Sequence, residues 1–264
     1  MAKKKDAIMT WDKEIGDDAV IAAKMEESSA GGSFFSLRNG NLSFNDAPMK
    51  DNRMAVVIID YVMENVYYEG DYDPDNRQGP KCYAFGRDEK DMKPHENVVK
   101  PQSKSCVGCP QNEWGSADKG RGKACKNTRR LALIPAGEID SDDRFTAFTD
   151  PEHFATVGQG YLRVPVTSVK GFASMVTSVA AAKKRPPYAI FTEIATVPDD
   201  KSQFKVTFSP LEMIPNELCA AVMKRHKDEE NLITFPYPVF EEEEAPKKRG
   251  GSKKGKGTKK GSKF

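Results

Sequence analysis

From Gly86 to Lys126 the chain runs for roughly forty residues with almost no aliphatic side chains to bury. A structureless stretch of that length is uncommon inside a compact domain, so something other than hydrophobic burial must hold it. Four of the five cysteines fall in the same region: Cys82, Cys106, Cys109 and Cys125. Cys106 and Cys109 make a Cys-x-x-Cys pair, which lets two thiolates reach one ion from a tight turn. Gly108, Pro110, Gly115, Gly120 and Gly122 supply the turn residues around them. Four thiolates fill a tetrahedral zinc shell, and coordination then replaces the missing core. Cys82 and Cys125 are singletons rather than a second Cys-x-x-Cys, so His95 stands as the alternative to Cys82 for the fourth position. No His-x-Glu element accompanies the cysteines, as a zinc deaminase would require. Their spacing matches neither common ferredoxin pattern. The predicted metal is therefore one structural Zn²⁺.

The fifth cysteine, Cys219, lies in an apolar-patterned segment and reads as a core thiol. An odd cysteine count, behind a Lys-rich start that does not read as a secretory leader, argues against a disulfide framework. No run approaches the roughly 18 apolar residues of a membrane span. The expectation is a cytoplasmic protein with no membrane partner.

Charge is divided along the chain. Nine of the 41 lysines and arginines lie in 247–264, which has no acid, leaving 32 basic against 39 acidic residues in the rest. An acidic body is not a uniform nucleic-acid coat, so any anion-binding surface on it must be local. Glu241 to Glu244 and the Lys-Gly-Ser run after it have too little apolar content to offset ordering entropy, which predicts a disordered tail over 241–264. Residues 1–32 read as a flexible segment with at most a short helix at Ala19 to Met25.

Between these ends, Phe34 to Arg38 and Leu42 to Phe44 flank an Asn39-Gly40 hairpin turn. Met54 to Tyr68 reads as a buried strand with a bend, Lys81 to Phe85 as a short strand, and Thr128 to Pro135 and Tyr161 to Val166 as further strands. Thr167 or Ser168 is placed to cap a helix running to about Lys184, stopped by Pro186-Pro187. Tyr188 to Val197 and Phe204 to Phe208 make a second hairpin, and Ile214 to about Lys227 a second helix. The order predicts a mainly β (α+β) domain over 33–240. The leading architecture is an OB-like small barrel with a zinc-binding subdomain inserted at about 81–130, and an α+β sandwich is the alternative.

Beside the cysteines lies a basic run. Lys119, Arg121, Lys123, Lys126, Arg129 and Arg130 occur with no intervening acid, and Trp114 is just upstream. A zinc turn would fix these charges on one surface, where they suit phosphate contacts and Trp114 suits base stacking. Arg163, on a predicted strand, and the Lys183-Lys184-Arg185 group extend the candidate nucleic-acid surface. Catalytic patterns are sparse. Gly120-x-Gly122 lacks the ending of a phosphate loop. Only three histidines occur, and no Gly-x-Ser-x-Gly. Asp140, Asp142 and Asp143 read as a solvated turn before a Mg²⁺ site. The chain is predicted not to be an enzyme.

The run Cys82-Tyr-Ala-Phe, Gln102-Ser, Cys106-x-x-Cys109-Pro, Trp114-Gly-Ser, Gly122-Lys-Ala-Cys125-Lys, Arg129-Arg130-Leu-Ala-Leu resembles a segment common in proteins of tailed bacteriophages. The overall design is similar to the zinc-containing single-stranded DNA-binding proteins of such phages, which set a zinc subdomain beside an OB-fold and end in a flexible tail. In the best-known of these a histidine is among the ligands and the tail is acidic; here the acidic run is followed by a basic one. The resemblance implies single-stranded DNA binding in phage replication or recombination, with replication proteins as possible partners of the tail. The alternative is a zinc-stabilised accessory factor that binds a replication or transcription protein.

Overall fold

The computed structural model describes residues 34–70 and 78–238. The segment expected to be flexible at 1–32 and the tail at 241–264 lie outside the described residues. Ten strands are described. β1 (Phe35–Arg38), β2 (Asn41–Phe44) and β3 (Ala47–Pro48) form a small sheet. β4 (Arg53–Tyr67), β5 (Cys82–Gly86), β6 (Lys126–Ile139), β7 (Phe145–Ala147), β8 (Gly160–Val164), β9 (Ile190–Asp199) and β10 (Gln203–Met213) form the main one. Every ladder in both sheets is antiparallel.

β4 is the axis of the main sheet. Its near-continuous apolar run suits a strand covered on both faces. Met54, Val56 and Ile58 enter one core, while Val57, Ile59 and Val62 enter the other. β6 pairs along its length from Ala55↔Gly137 to Val66↔Lys126, with register breaks at Ala55/Val56 and Ile58/Asp60. The second of these breaks lies next to the position where the sequence predicts a bend. On its other edge β4 is shared: β9 takes Arg53 to Val57 and β5 takes Met63 to Tyr67. β6 is shared likewise, by β8 and β7, and β10 lies outside β9.

The fold is thus mainly β, with antiparallel sheets and a few helices. Among the described residues no ladder joins β10 to β7 or β8, and so the main sheet is not closed into the expected small barrel. The Gly86–Lys126 excursion contains only two short 3₁₀ turns.

Three helices and the small sheet cover the two faces. The Asn39-Gly40 turn has positive φ at both residues, +53° and +80°, as a tight hairpin demands. Leu42 then enters the first core beside Phe172, Met175 and Val179 of α2 (Val166–Lys183). α1 (Pro151–Thr156) and α3 (Asn216–Glu229) cover the opposite face with Phe154, Leu218 and Val222. The expected cap on α2 is corrected. Pro165 occupies that position and makes no side-chain cap. Ser168 lies inside the helix, and its hydroxyl instead accepts the Val206 N–H of β10 at 2.8 Å. A buried backbone donor on the neighbouring strand won the hydroxyl.

Gly137 lies within β6, paired with Ala55 of β4 on one side and Ala147 of β7 on the other. A Cβ there would stand 2.2 Å from the Thr146 carbonyl oxygen, at φ +159°. Backbone cannot yield as a side-chain tip can, so Gly137→Ala is expected to lower stability by about 1–3 kcal/mol, read as a lower urea midpoint with an unchanged slope.

Candidate functional site

The main sheet itself gathers the cysteines. Tyr67 of β4 pairs with Cys82 of β5 on one side. On the other side Val66 pairs with Lys126, which places Cys125 one residue before the start of β6. The intervening excursion folds back over this end of the sheet. Cys106 N–H donates to Met92 O at 3.0 Å, and Cys125 N–H donates to Gln111 O at 2.7 Å. Gly108, at φ +72°, turns the Cys-x-x-Cys loop. Cys82, Cys106, Cys109 and Cys125 consequently line one cavity, with Asn65, Tyr83, Gln102 and Asn112 among its other walls. Its volume is about 20 Å³, room for one water-sized occupant.

No disulfide is formed, and no carboxylate lines the cavity. Burial raises the thiols of Cys82, Cys106 and Cys125 above their ordinary value, and the crowding of neighbouring sulfurs adds to it; Cys125 is pushed up to about 12. Asn65 Nδ2 is buried without a hydrogen-bond partner, and it lies close enough to Cys106 to favour the thiolate. An amide donor waiting beside a sulfur is what a metal-bound thiolate uses in its outer shell. Among the described residues no three His, Cys, Asp or Glu side chains are set as a closed metal-binding group. The fit to zinc therefore rests on the lining: four sulfurs, an orphaned donor, and room for one ion. His95 is elsewhere. Its ring stacks on Tyr83 at 5.1 Å, and its Nδ1 accepts the Asn97 N–H.

The basic run divides into an outer and an inner set. Gly115 and Ala117 N–H both donate to Gly122 O, closing a turn that carries Lys119 and Arg121 at the surface. Trp114 is 79% exposed, and the Lys123 ammonium lies 5.8 Å from its ring centre. Lys123 also donates to Asn112 Oδ1, and exposed Lys126 donates to Lys123 O. Lys183, Lys184 and Arg185 are exposed at the C-terminal end of α2. Arg129 is half-buried and donates to Thr128 O, and desolvation lowers its pKa.

Two expected contacts are corrected. Arg130 is fully buried, as is Glu64. Its guanidinium bonds Glu64 Oε1 at 2.7 and 3.1 Å and donates to Ile233 O and Phe235 O. The Phe85 and Phe235 rings lie 4.2 and 4.3 Å from it. Four of its five N–H groups are bonded, and its complete burial puts it out of reach of a phosphate. Arg163 is half-buried and committed to Glu64 Oε2 at 2.9 Å and to the Tyr237 hydroxyl. The pattern of period two in β6 and β8 turns these cations inward, toward a carboxylate that sequence reading did not single out. The signal was present: Glu64 and Asn65 are polar residues in the middle of a buried strand. The strand aromatics Tyr161, Phe191 and Phe208 pack in or against the cores and offer no stacking surface. The Asp140 to Asp143 group is a turn closed on Arg144 and Arg53.

No helix among the described residues is long and apolar enough to cross a membrane. No protein-family model, curated protein or solved structure matches this chain.

Proposed function

We propose that this protein binds single-stranded DNA without catalysing a reaction, in phage DNA replication or recombination, and that Cys82, Cys106, Cys109 and Cys125 hold one structural Zn²⁺. The observation that carries the reading is the exposed Trp114 beside a hydrogen-bonded turn that bears Lys119 and Arg121, with Lys123 against its ring and Lys126 at the start of β6, in the same excursion that brings Cys106 and Cys109 to the thiol cavity. A ring with a free face accepts a base, and cations on a rigid turn follow the backbone. Zinc would supply cross-linking: one ion ties β5, the Cys-x-x-Cys loop and the start of β6 together. The phage assignment is supported by the sequence resemblance alone. An OB-like barrel is not required, because the proposed contacts lie on the excursion and not on a barrel surface.

Titration of a fluorescent oligonucleotide tests it. Four phosphate contacts on a single strand correspond to a slope of about −3 in log K against log salt. Trp114→Ala is expected to weaken binding by about 1–3 kcal/mol. Each of Lys119→Ala and Arg121→Ala should reduce the salt slope by about one contact. Undetectable or salt-independent binding would sink the proposal.

One observation favours a second reading, a zinc-stabilised accessory factor that docks on a replication or transcription protein. Val99, Val107 and Trp114 are all exposed large apolar residues on the same excursion. If Lys119→Glu with Arg121→Glu leaves oligonucleotide binding intact while Val107→Asp abolishes capture of a replication protein, this second reading holds instead.

A further inference from the structure

A second cavity lies under the β1–β2 hairpin, at the far end of β6 from the thiols. Its volume is about 510 Å³, within the range of small-molecule sites. Pro135, on its wall, is nine residues along β6 from Lys126, up to about 30 Å away. The cavity is therefore separate from the excursion that carries the proposed nucleic-acid contacts.

The cavity is built rather than left over. Phe35 and Phe44 pack ring to ring at 4.5 Å and form one wall. They lie directly on the backbone of Gly160, where a Cβ would come within 2.6 and 2.7 Å of the two rings. Met49 and Met54 supply soft, adaptable surface. The rim is shaped by Asp51 and Asn52, two successive residues with φ of +54° and +53°. Such backbone persists only where its surroundings hold it; Asn52 Oδ1 does so by accepting the Leu42 N–H at 3.1 Å. This turn places Lys50 and Arg53 on the cavity.

The charges at the rim are not equivalent. Lys50 is exposed and has no ion pair among the described residues. Arg53 is paired through its terminal nitrogens with Asp143, Glu193 and, at 3.9 Å, Asp51, and donates to Asp140 O, yet its Nε is buried with no acceptor. Of the two carboxylates on the wall, Asp140 is already satisfied by Arg144 and by two backbone N–H groups, and Glu138 is exposed. What the Lys50 and Arg53 side of the site lacks is an acceptor for the buried Arg53 Nε. Flat apolar walls with unfilled donor capacity at the lip suit one class of ligand. We propose that this cavity binds a small, flat aromatic molecule bearing one anionic group, its ring against Phe35, Phe44 and the methionines and its anion at Lys50 and Arg53.

The test uses the full chain with methyl-labelled methionine and 2-naphthoate as probe. Ten methionines are present, and Met49 and Met54 are assigned through their Leu variants. The expected result is a saturable shift of those two methyls, weakened at least threefold in Lys50→Glu, a surface change that leaves folding intact. Decanoate and neutral 2-naphthylmethanol should each bind at least threefold more weakly than naphthoate. Absence of a saturable shift at Met49 and Met54 would overturn the proposal, as would equal binding by Lys50→Glu. Decanoate matching naphthoate would overturn the aromatic assignment, and 2-naphthylmethanol matching it would overturn the anionic one. Oligonucleotide affinity measured on the same Lys50→Glu protein separates this outcome from the fate of the nucleic-acid reading, because Lys50 takes no part in the latter.

Discussion

Purified protein is expected to carry one zinc per chain, and stripping it is expected to unfold the excursion from Gly86 to Cys125. Apparent zinc-binding energies in small structural sites are about 10–16 kcal/mol at neutral pH. Little else here could replace that. The excursion contributes only Met92 and Cys106, with Ala84 of β5, to a minor core cluster. Its two 3₁₀ turns bury no residue. Metal analysis gives the stoichiometry. Proteolysis before and after chelation gives the structural consequence: new cuts within 86–125 in the stripped protein, and protection restored by zinc. Cys106→Ser, Cys109→Ser and Cys125→Ser should each reproduce the stripped pattern. Cys82→Ser tests the fourth position directly, and His95→Ala should retain zinc, since that ring rests on Tyr83. Cys219→Ser is the control, because that residue lies on α3 and lines no part of the thiol cavity. A metal-free protein with unchanged protease resistance would rule the structural zinc out.

The convergence of the four cysteines was legible because a polar stretch without core material leaves few other ways to hold a chain. The strands around it were legible for the ordinary reason. β4 reads as apolar and β-branched, and Asn39-Gly40 is a turn by its chemistry. What period and composition do not carry is which way a charged side chain faces once strands pair. Arg129 and Arg130 are neighbours in a basic run, yet alternation along β6 leaves one half-exposed and the other wholly buried. Nothing local distinguishes them. The difference is made by Glu64, 66 residues away, and by carbonyls of Ile233 and Phe235 more than a hundred residues away. The same limit explains the barrel. Strands are local and readable, but closure is a property of long-range ladders, and β10 ends unpaired to β7 and β8. The apolar cavity under the first hairpin was illegible too, since its walls come from β1, β2, β4, β6 and the approach to β8.

Loss of the Arg130 side chain is expected to be among the most destabilising single substitutions in the sheet. Arg130→Met leaves a comparable volume against Phe85 and Phe235 but removes the charge facing Glu64. Breaking one partner of a buried pair typically costs about 3–5 kcal/mol, because the other charge stays desolvated. Two carbonyls of the closing segment, Ile233 O and Phe235 O, lose their donor as well. Arg163 remains on Glu64 Oε2, and Tyr237 donates to Oε1 at 2.8 Å, so the loss is partial and not complete. Glu64→Gln leaves Arg130 and Arg163 without their shared counter-charge, so it is expected to be comparably destabilising at neutral pH and to alter the pH dependence. Burial opposes the Glu64 charge, but the fields of Arg163 and Arg130 outweigh it and hold this carboxyl below its ordinary value. A carboxyl lowered in the folded state binds fewer protons there than in the unfolded chain at mildly acidic pH. Its stabilisation is therefore fully present above the unfolded value, about 4.3, and is lost as pH falls through the folded one. Wild-type stability should thus drop on acidification below about pH 5, and Glu64→Gln should flatten that drop while leaving the neutral-pH slope unchanged. Urea unfolding at a series of pH values measures both. If Arg130→Met unfolds at the wild-type midpoint, the guanidinium is not held as the structure places it, and Arg130 would again count among the surface cations.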